Sequence, residues 1–159
     1  MKIQLIRTSI PDDLGQTYQL SLEKMSKDIY YIWVSQQKEH VCKLELKLHM
    51  PDTLIWGEIK IRNDFEPCEK IIVEFMRSGI KQRDKKNYRG RGLGTALLKE
   101  VIAIARHTGF KRIYGSVMRD DITRIPYLLE WYQRHGFSMC EPYPGCIDSA
   151  AAWICIELN

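Results

Sequence analysis

No apolar run in this chain approaches the ~20 residues that a membrane-spanning helix requires, so no membrane partner is expected. The N-terminus, MKIQLIRTSIPDD, lacks the long apolar stretch and small-residue site of a secretory leader. Five cysteines, Cys42, Cys68, Cys140, Cys146 and Cys155, form no CxxC pair. An odd, irregularly spaced set argues against a disulfide framework or a zinc site, and a reducing cytoplasmic location is the expectation. Internal repeats, low-complexity tracts and Pro/Gly/Ser linkers are also missing. The 159 residues therefore read as one domain, 1–159. Hydrophobic residues at 45% and charged residues at 28% exclude dominant disorder.

The net charge is small but concentrated locally. The net charge is +4, from 24 Lys and Arg against 20 Asp and Glu. Residues Arg77–Arg91 (RSGIKQRDKKNYRGR) hold seven basic side chains and one acid, Asp84, leaving 17 basic against 19 acidic residues elsewhere. One short segment thus carries the whole positive excess. Such a cluster suits a polyanion: phosphate, nucleic acid or an acidic membrane. A single-strand binder interleaves aromatics with its cations, and Tyr88 is the only aromatic here, which ranks nucleic acid below the other polyanions.

The periodicity divides the chain. KIQLIR reads as a strand and Asp12–Lys27 as a weak helical region. Ile29–Val34 is an apolar run fit for a buried strand. Cys42, Leu44, Leu46, Leu48 and Met50 alternate with Lys43, Glu45, Lys47 and His49, a half-buried strand that Pro51-Asp52 ends in a turn. Trp56–Arg62 alternates again, and Lys70–Met76 reads as a central strand. Then the period becomes helical: Leu93, Leu97, Val101 and Ile104 or Ala105 share a face, with Lys99, Glu100 and Arg106 opposite and Gly109 as the stop. Lys111–Met118 reads as a strand. Pro126 suits the first turn of a second helix carrying Leu128, Tyr132 and His135, which Gly136 ends. Phe137–Cys140 and Ala151–Leu158 are two last strands. A β-rich half followed by alternating helices and strands predicts α/β architecture with a mixed sheet.

The sharpest motif sits where the period changes. Tyr88-Arg-Gly-Arg-Gly-Leu-Gly94 runs into the helix beginning near Leu93. Glycines let successive N–H groups converge on one spot. The helix N-terminus adds orphan donors and a positive dipole end, and Arg89 and Arg91 add full charges. The result is a diphosphate cradle. It is neither a Walker loop, lacking GK[ST], nor the dinucleotide GxGxxG. Downstream, Glu130-Trp-Tyr-Gln-Arg-His-Gly-Phe137 places Tyr132 four residues before a Gly-Phe helix exit.

Taken together, Arg89-x-x-Gly92-x-Gly94, a helix, a strand, and Trp131-Tyr132-x-x-x-Gly136-Phe137 resemble the GNAT superfamily of acyl-CoA-dependent N-acetyltransferases, closely over roughly residues 70–140. The resemblance implies a single-domain GNAT-like fold, a mixed central sheet with two parallel splayed strands and flanking helices. Those strands would lie near Lys70–Met76 and Lys111–Met118. It implies acetyl-CoA as cosubstrate, its diphosphate on Arg89, Gly90, Arg91, Gly92, Leu93, Gly94 and Thr95, with Lys85, Lys86 or Arg91 for the 3′-phosphate. It further implies direct acetyl transfer to a primary amine in a ternary complex, a backbone N–H of the first splayed strand as oxyanion donor, and Tyr132 as the acid that protonates the leaving thiolate.

The base has no family motif. Glu74, interrupting the apolar run Ile71–Met76, is the candidate if the sheet desolvates it; the other reading has it facing solvent or a lysine, and Glu58 is the reserve. His135 reads as packing or a helix-end cation. No cysteine nucleophile and no metal are expected. The alternative function is a non-catalytic CoA-binding or regulatory module of the same fold, against which Tyr132 argues. Exposed terminal strands leave room for a homodimer. Three departures stand out: the stretch Met76–Tyr88 is long and basic, Ile125 replaces the Asn usual seven residues before Tyr132, and the N-terminal helices are weak.

Overall fold

A computed structural model describes residues 2–49, 52–61, 92–143, 146 and 150–158, with the backbone alone at 57–61. Five strands come first: β1 (Ser9–Pro11), β2 (Thr17–Lys24), β3 (Ile29–Gln36), β4 (Glu39–His49) and β5 (Thr53–Ile61). Helix α1 (Leu93–Thr108) precedes β6 (Arg112–Val117), the short helices α2 (Arg119–Arg124) and α3 (Leu128–Arg134), then β7 (Ser138–Met139) and β8 (Ala152–Glu157). They build one eight-stranded sheet in the order β1-β2-β3-β4-β5-β6-β8-β7. β1 to β5 form an antiparallel meander, and β5 and β6 pair in parallel. The fold is the α/β mixed-sheet architecture that the sequence resemblance implied.

The meander follows the period of two. Leu44 and Leu46 of β4 and Tyr30, Ile32 and Val34 of β3 turn inward, while Lys43 and Glu45 lie on the opposite face. β3 and β4 are joined by Gln37 and Lys38, both at positive φ (50° and 65°), the two-residue turn whose twist matches the strands. The main core lies between the inward sheet face and α1, whose Leu93, Leu97, Leu98, Val101, Ile104 and Ala105 are all buried. Gly109 ends α1 in the left-handed region (φ 90°), its N–H reaching the Ala105 and Arg106 carbonyls.

Several expectations need correction. Asp12–Lys27 is not helical. Tyr18, Leu20 and Leu22 alternate with exposed Thr17, Gln19 and Ser21 to form β2, and Asp12 is the buried hub of the turn before it. Its Oδ1 accepts from Leu14 N and Gln16 N (both 2.9 Å), and its Oδ2 from Tyr18 Oη (2.7 Å). KIQLIR is not a strand either. Glu100 from α1 does a neighbouring strand's work there, its Oε1 accepting the N–H groups of Ile6 (2.7 Å) and Arg7 (3.0 Å). Glu100 is accordingly 2% exposed, not on a solvated face.

The helix expected around Leu128 and Tyr132 forms as α3, and a further short helix, α2, precedes it. Pro126 disfavours helical geometry at the residue before it, and Ile125 sits at φ −130°, ψ 84°. Pro126 therefore lies in the turn ahead of α3, not inside it.

The parallel partner of β6 is β5, not a strand near Lys70–Met76. Thr53–Trp56 pair with Arg112–Gly115, and β8 occupies β6's other edge from Arg112 to Val117. A strand has only two edges, so the paired stretch of β6 has no room for a third neighbour. Residues 70–76 lie outside the described residues.

Candidate active site

The site forms where β5 and β6 part. Their pairing stops at Trp56 opposite Gly115. Immediately beyond, between Leu46↔Trp56 and Leu44↔Ile59, Gly57 and Glu58 of β5 face Glu45 alone on β4. This one-residue bulge bends β5 and turns it away from β6. β5 continues on β4 as far as Ile61, and β6 continues on β8 as far as Val117. Two parallel strands are thus splayed, each still bonded on its outer side.

The N-terminus of α1 supplies the polar half. Gly92 takes the cap position with φ 80°, and no side chain caps the helix. Ala96 N to Gly92 O (3.0 Å) is the first helical bond, so the N–H groups of Leu93, Gly94 and Thr95 project from the helix end. The first turn itself contains no acid, but the Asp13 carboxylate lies beside Gly92, a negative group at the positive end of the dipole. A Cβ at Gly92 would land 2.3–2.7 Å from the Asp13 carboxylate, the movable tip of an exposed side chain, so it is the left-handed conformation that calls for glycine.

The C-terminal half of the motif pair meets this turn directly. Trp131 Nε1 donates to Thr95 Oγ1 at 3.1 Å, across 36 residues of sequence. The same ring lies over Gly94, 3.9–4.0 Å from where a Cβ would be. It also packs edge-on against Tyr132 (4.8 Å between centroids, 68°) and on His135 (4.9 Å). His135 Nδ1 donates to the Trp131 carbonyl at 2.7 Å.

Tyr132 is 7% exposed and packs edge-on against Phe137 at 5.7 Å. Burial pushes its phenol up to about 12, the negative charge of Asp121 adds to this, and a hydrogen bond with the Trp56 side chain opposes it. Indole N–H is a donor only, so in that bond the Tyr132 oxygen accepts and does not spend its own proton. The phenol therefore stays protonated at neutral pH, beside the residue at which β5 and β6 diverge. Burial pushes the Cys42 thiol up to about 12. The Cys140 thiol also rises to about 12, through burial and then the adjacent Cys155. Neither is a thiolate at neutral pH.

Residues 85–137 match the model of the acetyltransferase (GNAT) family. The match spans about a third of the chain and marks that segment as GNAT-like. It is 20% identical over 124 residues to the Bacillus subtilis protein YocC, which covers 77% of this chain and 75% of that protein. Among solved structures, the GNAT domain of S. lividans PAT superposes with a TM-score of 0.62 at 10% identity, covering 94% of this chain and 96% of that one. A GNAT family acetyltransferase from Elizabethkingia anophelis, solved with acetyl-CoA bound, gives 0.57 at 15% identity over 89% and 98% of the two chains.

The GNAT-like fold brings together Gly92, Leu93, Gly94, Thr95 and Tyr132, five of the expected site residues. Arg89, Gly90, Arg91 and Glu74, with Lys85 and Lys86, lie outside the described residues. Glu58 falls at the β5 bulge, where the backbone alone is described. Sequence reasoning missed Trp56, which closes the parallel pairing and bonds to Tyr132, and the contact of Trp131 with Thr95. The run Leu54-Ile55-Trp56 was the available signal for the first, since consecutive apolar residues mark a strand buried on both faces.

Among the described residues no helix is long and apolar enough to cross a membrane.

Proposed function

We propose that this chain is an acetyl-CoA-dependent N-acetyltransferase that moves the acetyl group directly to a primary amine within a ternary complex. The observation that carries the reading is the Trp131–Thr95 hydrogen bond. It joins the two motif halves, so that an uncapped helix N-terminus and a buried protonated phenol serve one site. Three N–H groups and a hydroxyl match the acceptor oxygens of a diphosphate, and they are fixed by the helix before any ligand arrives. Gly90, Arg89 and Arg91 complete that seat in this reading, and Lys85 and Lys86 meet the 3′-phosphate.

The chemistry then follows from the residues. Glu74, or Glu58 in reserve, removes a proton from the ammonium form of the acceptor, directly or through water. The freed nitrogen lone pair forms the new C–N bond at the thioester carbonyl. A backbone N–H at the β5 bulge, released from ladder pairing, donates to the carbonyl oxygen as it gains charge. When the C–S bond breaks, Tyr132 gives its proton to the departing sulfur, and the nitrogen's surplus proton leaves to solvent. The raised pKa of Tyr132 keeps it in the donating form across neutral pH.

The test is a panel of primary amines incubated with acetyl-CoA, read by release of free CoA thiol, beside calorimetry of acetyl-CoA binding. Binding near micromolar affinity, about −8 kcal/mol, with thiol release for some amines is the expected result. Binding without thiol release from any amine would instead support the non-catalytic CoA-binding module. No binding would remove both readings.

A further inference from the structure

We propose that Trp131 is a positioning residue for the diphosphate seat: its indole N–H occupies a lone pair of the Thr95 hydroxyl and so commits that hydroxyl to donating into the anion site. The inference rests on the acetyl-CoA reading above and adds a residue whose role lies in neither the backbone cradle nor the proton transfer.

A threonine hydroxyl has one proton and two lone pairs, whereas an indole N–H can only donate. The 3.1 Å contact between Trp131 Nε1 and Thr95 Oγ1 therefore has a fixed direction, with Thr95 accepting. In a helix interior a threonine hydroxyl commonly donates back to a carbonyl of the preceding turn. Thr95 stands in the first turn, beside the orphan N–H groups of Leu93 and Gly94. An incoming phosphate oxygen is a charged acceptor, and charge-assisted hydrogen bonds are roughly twice as strong as neutral ones.

Trp131 is itself held in place. His135 Nδ1 bonds its carbonyl, Tyr127 O accepts its N–H at 3.0 Å, and its ring is braced by Tyr132, His135 and the open surface of Gly94. A rigid donor keeps the hydroxyl in one rotamer before the ligand arrives, which is the condition for a fixed seat to outcompete water.

The experiment uses the full chain with four variants, Trp131→Phe, Thr95→Val, Thr95→Ser and the double variant Trp131→Phe/Thr95→Val, and two acetyl donors, acetyl-CoA and acetyl-pantetheine. The latter keeps the thioester and lacks the diphosphate. CoA binding is measured by calorimetry, so that one readout does not depend on turnover. Trp131→Phe removes the N–H together with part of the indole, whereas Thr95→Val leaves the indole in place and removes the hydroxyl, so the pair separates the hydrogen bond from the ring's packing. Trp131→Phe should weaken CoA binding about five- to tenfold and raise KM for acetyl-CoA to match, with kcat held. Thr95→Val should do the same, and the double variant should be no worse than either alone, because the two residues act as one unit. Thr95→Ser should restore binding. With acetyl-pantetheine, kcat/KM of Trp131→Phe should equal that of the parent.

Equal losses with both donors, additive losses in the double variant, or unchanged CoA binding in Trp131→Phe would each overturn the assignment while leaving acetyl-CoA as cosubstrate. Failure of the unaltered chain to bind CoA would overturn the assignment through the reading beneath it.

Discussion

Replacing Tyr132 by Phe removes one oxygen from a side chain that is 7% exposed, and three measurements follow from that single atom. The first is turnover. A positioned acid contributes about 10²- to 10⁴-fold, so kcat should fall by that range. KM for acetyl-CoA should stay within about twofold, because the diphosphate seat on Gly92–Thr95 does not include the phenol.

The second is stability at neutral pH. The phenol oxygen is the partner of the Trp56 side chain, and a buried donor left without an acceptor costs about 1–3 kcal/mol. For a chain of this size that lowers Tm by roughly 2–4 °C per kcal/mol.

The third is stability in alkali. The Tyr132 pKa rises from 10.0 to about 12 on folding, first because burial disfavours the phenolate. A group with a raised folded pKa contributes stability that is complete below pH 10 and is lost as pH climbs through 12. The loss is on the order of 2–3 kcal/mol. Tyr132→Phe has no proton to lose. Denaturant unfolding at pH 8, 10 and 12 should therefore show the parent's advantage shrinking by about that amount. A variant that keeps parental kcat would refute Tyr132 as the acid. A stability gap independent of pH would refute the account of its burial.

Three further outcomes are expected. Gly92→Ala must hold φ 80° and push against the Asp13 carboxylate. It should cost about 1–2 kcal/mol in thermal unfolding and weaken acetyl-CoA binding about tenfold, so parental calorimetry would contradict the seat. Glu100→Ala strands the N–H groups of Ile6 and Arg7 and should lower unfolding free energy by about 2–4 kcal/mol with kcat retained; an unchanged Tm would mean that this anchor is idle. Glu74→Gln should erase the acid limb of the pH–rate profile, and a limb that persists would release Glu74 from the role of base.

Much of the framework was legible because single residues repeat a simple rule. Leu44 and Leu46 announce a strand by their spacing, and Leu93, Leu97 and Val101 announce a helix. The two motifs pointed to one family because each half needs glycine or an aromatic at a particular helix end. The misreadings have equally specific causes. Asp12, Asp13 and Gly15 obscured the alternation of Tyr18, Leu20 and Leu22, although Asp12 is the hub that starts that strand. Glu100 looked like a solvated charge because sequence cannot show that two backbone N–H groups from the other end of the chain converge on it. The apolar run Ile71–Val73 drew attention from Leu54–Trp56, the stretch that pairs with β6. The Trp131–Thr95 bond was invisible for the same reason as Glu100: it is a contact between distant residues, and no local pattern encodes it.

The bulge in β5 has a mechanical consequence. At the point of divergence β5 hands its bonding over to β4 alone, and β6 hands its own to β8. The gap between them is thus two rigid jaws, each clamped from outside. Closing it would require β5 to surrender its bonds to β4 from Cys42 to Leu44, or β6 its bonds to β8 at Ser116 and Val117. A ligand lying along that divergence would therefore give up its own freedom without asking either strand to give up a bond.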